Sequence, residues 1–67
     1  MIDYEGLRKV IQDSGLKNSY IAKHLGITDT TFSRKIQGKN KFDIIEVNKL
    51  TRLLNLSDAD VKRIFFA

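Results

Sequence analysis

Apolar positions in this 67-residue chain recur every three or four residues, and no stretch alternates apolar with polar residues as a half-buried strand does. The pattern predicts five helices. The first covers Tyr4 to Ser14: Asp3 can cap it, Leu7, Val10 and Ile11 form one stripe, and Gly15 ends it, although Gly6 weakens the first turn. The second covers Asn18 to Leu25 and turns Ile21, Ala22 and Leu25 inward. Its cap is either Lys17, a poor one, or Asn18, a good one. The other three share one start signal. Ile27-Thr28 followed by Phe32, Phe42-Asp43 followed by Val47, and Leu56-Ser57 followed by Val61 each set an apolar residue before a cap and another at the fourth helical position, a hydrophobic staple. Glu46 and Asp60, three residues after their caps, add the carboxylate of a capping box. Helices are predicted over 28–37, 43–54 and 57–66, the fourth presenting Val47, Leu50, Leu53 and Leu54, the fifth Val61, Ile64 and Phe65. The expected fold is all-α, one compact domain over residues 1–67.

Between the second helix and the cap of the third stand only Gly26 and Ile27. So short a connection forces a steep crossing, with Gly26 in the left-handed conformation, Ile27 plugging the angle and Ala22 allowing close approach. A small residue, a glycine four on, then an apolar residue and a hydroxyl cap describe a helix-turn-helix. The third helix begins the stretch "TDTTFSRKIQGK", residues 28–39, rich in mediocre helix formers. Phe32 and Ile36 are expected to anchor it, leaving Thr28, Thr30, Thr31 and Ser33 exposed. Short polar side chains suit the DNA major groove, Thr methyls can touch thymine methyls, and Arg34 can pair bidentately with guanine. At the start of the second helix, Asn18 and Ser19 can hold a phosphate with the help of backbone N–H groups. Gln37, Lys39, Asn40 and Lys41 offer backbone contacts on the other side.

Charge sharpens this picture. The chain carries a net +4, and residues 17–41 hold six cations (Lys17, Lys23, Arg34, Lys35, Lys39, Lys41) against Asp29 alone, while the other residues hold six cations and seven carboxylates. The positive excess is therefore confined to one central segment, as on a surface that meets a polyanion. Composition removes other classes. At 42% hydrophobic and 30% charged residues the chain is globular rather than disordered. Without cysteine it has neither disulfide nor thiolate zinc site, which fits a cytoplasmic protein. His24, the single histidine, is expected as an exposed helix residue, and Tyr20 as either partly packed or phosphate-facing. No apolar run reaches the roughly 18 residues of a membrane span. There is no glycine-rich phosphate loop, metal-ligand cluster or triad, and Asp58 and Asp60 read as helix-start charges rather than a catalytic pair. No enzyme, no cofactor and no small-molecule ligand is expected.

Residues 16–41, "LKNSYIAKHLGITDTTFSRKIQGKNK", resemble the helix-turn-helix of the lambda-repressor-like (Cro/C1, or Xre) DNA-binding family. "FDIIEVNKLTRLLNLSDADVKRIFF" is similar to helices four and five of its small phage-type members from Gram-positive bacteria. The resemblance covers nearly the whole chain, most specifically in "IAKHLGIT", "FSRKIQGK" and "LNLSDADVKRIFF". It implies a five-helix domain that binds a palindromic operator in double-stranded DNA as a homodimer and regulates transcription, as a phage or prophage repressor does. It also implies base reading by Asp29, Thr30, Ser33 and Arg34, a cap and phosphate contact by Thr28, phosphate anchoring at Asn18, and a basic loop at Lys39, Asn40 and Lys41. Three positions depart from the family pattern. Asp29 replaces the usual Gln, Arg or Lys, where a carboxylate can accept from a cytosine amine or simply favour the helix dipole. Lys35 replaces a small or apolar residue and is expected to be solvated or phosphate-facing. Lys17 replaces a common Thr cap. The competing expectation is a protein-interaction module, an adaptor or antirepressor, using the apolar tail Ile64-Phe65-Phe66 if that tail lies outside the core.

Overall fold

Every helix but one starts on a side chain that accepts a hydrogen bond from its own first turn. In the computed structural model, which describes residues 1–67, the helices are α1 Tyr4–Ser14, α2 Asn18–Leu25, α3 Asp29–Ile36, α4 Ile44–Leu53 and α5 Asp58–Phe65. Asp3 accepts from the Gly6 amide, Thr28 from Thr31, Asp43 from Glu46 and Ser57 from Asp60. Both capping boxes close, since Glu46 and Asp60 each accept from the backbone of their cap. In the second box, hydrogen bonds from Arg63 and then Ser57 hold the Asp60 carboxyl below its ordinary value of 3.8. The exception is α2. Lys17 occupies its cap position without a side-chain bond, and Asn18 is the first helical residue.

Gly6 is explained by the cap it follows. A Cβ there would come 2.5 Å from the Asp3 carboxylate, so the residue that weakens the first turn also leaves room for its cap. The far ends of α2, α3 and α4 close alike. After α2, Ile27 donates to the Ala22 carbonyl at 3.0 Å, with Gly26 at φ +79°. After α3, Lys39 donates to Arg34 at 2.9 Å around Gly38, and after α4, Leu56 donates to Thr51 at 3.0 Å around Asn55 at φ +53°. These are Schellman motifs, in which a left-handed residue lets the chain satisfy the last carbonyls and turn away.

Capping alone does not hold helices of eight to eleven residues in water, so packing must supply the rest. The core contains Leu7, Ile11, Ile21, Ala22, Leu25, Phe32, Ile36, Leu50, Ile64 and Phe65. Phe32 is fully enclosed, and burial of a side chain of that size contributes about 1.5–3 kcal/mol. Val10, Val47, Leu53, Leu54 and Val61 lie at its half-buried edge. Helix α2 packs on α3 and α4, and α1 on α3 and α5. The Phe42 ring meets Phe65 edge-on, their centroids 6.3 Å apart. Ile64 and Phe65 are thus core, and of the apolar tail only Phe66 is exposed. The Asp3 amide donates to the Ile64 carbonyl at 2.7 Å, joining the two ends of the chain. No helix is long and apolar enough to cross a membrane.

Candidate nucleic-acid interface

Helix α3 is fixed from below by Phe32 and Ile36, one turn apart and both buried. At 100° per residue that leaves Thr30, Arg34 and Gln37 on the opposite side and Ser33 on the flank, while Asp29, three before Phe32 and seven before Ile36, stands over the buried stripe at the open first turn. Asp29, Thr30, Arg34 and Gln37 are exposed, and Ser33 is half-buried. Ser33 and Thr31 both depart from the expectation of exposure; Thr31 is half-buried on the flank of the helix, where its hydroxyl accepts from that of Thr28 at 2.9 Å. The Thr28 side chain also accepts from the Thr31 amide at 3.1 Å, so this hydroxyl is first of all a cap.

The polar side chains of α3 engage their neighbours. Gln37 donates through Nε2 to the Ser33 hydroxyl at 3.0 Å. Arg34 donates through Nε to the Asn40 side-chain oxygen at 3.3 Å. That contact leaves both terminal guanidinium nitrogens of Arg34 without a protein acceptor, so the fork can face outward. Lys39 and Lys41 are exposed on the following turn, and Asn40 is half-buried. Asn18 and Ser19 lie exposed in the first turn of α2, with Lys17 beside them. Tyr20 is about half exposed, and its ring stacks on the exposed His24 at 6.5 Å between centroids.

Lys35 contradicts the expectation of a solvated or phosphate-facing side chain. Its ammonium turns inward and pairs with Glu46 on α4, Nζ to Oε1 at 2.5 Å, the two side chains only 12% and 8% exposed. It also donates to the Lys41 carbonyl at 3.1 Å and sits 5.8 Å from the centre of the Phe42 ring. The cause is the company the position keeps. Lys35 adjoins Ile36 and follows Phe32 by three, so it flanks the buried stripe, and a charge there needs a partner. The basic surface therefore has one cation fewer than the sequence count.

Two contacts on this side of the molecule had no sequence signal. Arg8 on α1 donates through Nη1 to the Ile36 carbonyl at 2.7 Å, supplying a cation to the last turn of α3. The Tyr4 ring lies over Gly38, where a Cβ would come within 3.1 Å of it. The end of α3 and the basic turn are thus held by α1 on one side and α4 on the other.

No protein-family model matches the chain, and neither a curated protein nor a solved structure matches it.

Proposed function

We propose that the protein is a sequence-specific DNA-binding regulator of transcription, in which α2 and α3 form a helix-turn-helix of the lambda-repressor-like kind. Helix α3 enters the major groove. Thr30, Ser33 and Arg34 meet base edges, with Arg34 the strongest reader because its terminal nitrogens match O6 and N7 of guanine. Asp29 serves the helix N-terminus and accepts from a cytosine amine where one is in reach. Asn18, Ser19 and Thr28 hold the phosphates on one flank, and Gln37, Lys39, Asn40 and Lys41 those on the other. The partner is a palindromic operator bound by two copies, with half-sites about 34–36 Å apart, one helical turn. Such a repressor works in the cytoplasm by occupying a promoter.

One observation carries this reading. The third helix spends poor helix formers on an outward face that holds polar donors and acceptors, while Phe32 and Ile36 anchor the other side. In-vitro selection from random duplex DNA tests it. The expected result is a palindrome with guanine at the Arg34 position, and affinity that falls steeply with salt. Recovery of no consensus sequence would refute it.

A second reading has its own support. Ile44, Ile45 and Phe66 are exposed, Phe66 by 65%, and such apolar surface suits a protein partner. An adaptor or antirepressor would bind DNA weakly and without sequence preference in the same selection. In the DNA-binding reading these residues are available to the second copy.

A further inference from the structure

We infer that Glu46, a carboxylate on α4, is a positioning residue for DNA binding: through Lys35 it sets the basic turn at residues 37–41 against the end of α3. The inference rests on the function proposed above and assigns Glu46 a role that charge alone would deny it.

The contacts form one chain. Glu46 Oε1 accepts from Lys35 Nζ at 2.5 Å and from the Asp43 amide at 2.9 Å. The same Lys35 ammonium donates to the Lys41 carbonyl at 3.1 Å. One carboxylate oxygen thereby ties α3, the end of the basic turn and the start of α4 together. The near end of the turn is fixed by the Lys39 amide on Arg34 and by the Tyr4 ring over Gly38. Lys39 and Lys41 are left exposed on a backbone braced at both ends. Their ammonium groups are flexible, so the path of that backbone decides whether they reach phosphates together. The pair is also well placed to resist solvent. Both side chains are largely covered, and every buried side-chain polar atom has a partner.

This role predicts an effect of unusual sign. Removing a negative charge from a DNA-binding protein ordinarily strengthens binding, because phosphate repulsion falls. Glu46→Gln keeps the volume and keeps an oxygen for the cap, but leaves Lys35 with no counter-charge. If Glu46 positions the turn, affinity of the folded variant for a duplex recovered by selection falls by about tenfold, the value of one well-placed charge-assisted contact. Glu46→Asp is the companion variant. It keeps the charge and, as Asp60 does in α5, the capping box, but is one methylene too short to hold Lys35 as now placed. It too is expected to bind more weakly, although the net charge is unchanged. In both variants the Lys39 amide exchanges with solvent faster, a readout that needs no DNA.

Affinity is measured by fluorescence anisotropy at a temperature where circular dichroism shows each variant folded. Unchanged or tighter binding by Glu46→Gln, or wild-type binding by Glu46→Asp, overturns the positioning role. If the wild-type protein prefers no sequence, the DNA-binding reading itself fails, and the inference falls with it. Amide exchange then reports separately whether the pair braces the turn.

Discussion

Gly38→Ala is the sharpest test of how the basic turn is built, because two other glycines provide controls. Gly15, Gly26 and Gly38 all have left-handed φ, at +74°, +79° and +82°. An alanine pays the backbone term at each, about 1–2 kcal/mol, partly offset by the more restricted unfolded chain, so a net cost of about 1 kcal/mol is expected. Around Gly15 and Gly26 nothing lies within 4 Å of an added Cβ, and the backbone term is the whole cost there. At Gly38 the Cβ would stand 3.1 Å from Cε2 and 3.2 Å from Cζ of Tyr4, so the ring has to move by a few tenths of an ångström. Tyr4 is half-buried at the edge of the core, which puts this crowding at the low end of overpacking costs, about 1 kcal/mol. The sum at Gly38 is about 2 kcal/mol. For 67 residues the unfolding entropy is about 140 cal/mol/K, so 1 kcal/mol corresponds to about 7 °C. Gly38→Ala should therefore lower Tm by about 14 °C and Gly26→Ala by about 7 °C, followed by circular dichroism. In the Tyr4→Ala background the excess at Gly38 should disappear. An equal loss at all three glycines, or an excess that survives Tyr4→Ala, would show that the ring does not brace the turn.

Other predictions separate the roles of single side chains. Arg34→Ala should cost about 1–3 kcal/mol on the selected sequence and little on random DNA, whereas Lys39→Ala should weaken both and reduce the slope of log affinity against log salt by about 0.9; equal losses from Arg34→Ala on the two DNAs would remove it as a base reader. Lys17→Ser, which gives α2 the side-chain cap it lacks, should raise stability by about 0.5–1 kcal/mol in urea unfolding. Asp60 titrates below its ordinary value in the folded protein, so the unfolded chain binds that proton first. Its contribution is complete above 3.8 and is lost as pH falls through the lower folded value. Asp60→Asn should consequently flatten the acid limb of stability against pH, and an unchanged limb would show that Arg63 and Ser57 do not hold the carboxylate.

How much of this was visible in the sequence follows from the range of each interaction. The starts of α3, α4 and α5 depend on residues three or four apart, and Thr28, Asp43 and Ser57 stand where their signals put them. The exposure of Thr30 and Arg34 follows from the positions of Phe32 and Ile36 on one helix, and that of Asp29 from its place at the start of the first turn. The cap of α2 stayed open because the good capping residue, Asn18, stands one position inside the helix, and the cap position itself holds Lys17, whose side chain makes no capping bond. Asn55 was missed because a left-handed asparagine looks like any polar residue between two helices. Lys35 was misread because its partner is eleven residues away, and the carboxylate of Glu46 already had a local explanation as a capping residue. The one available clue was a lysine flanking a buried stripe. Arg8 leaves no pattern at all, since it binds a backbone carbonyl 28 residues distant and any residue can supply that acceptor.

The bond from the Asp3 amide to the Ile64 carbonyl places residues 1 and 67 within easy reach of one another, the Met1 amine lying 3.3 Å from the Ala67 oxygen. A short peptide bridge could therefore make the molecule a ring, and the ring could be reopened at the Asn55 corner without cutting a helix. In that permuted chain α5 would be synthesised first and α4 last. The order of synthesis is in this sense separable from the surface that α3 presents, and connectivity becomes a variable an engineer can choose.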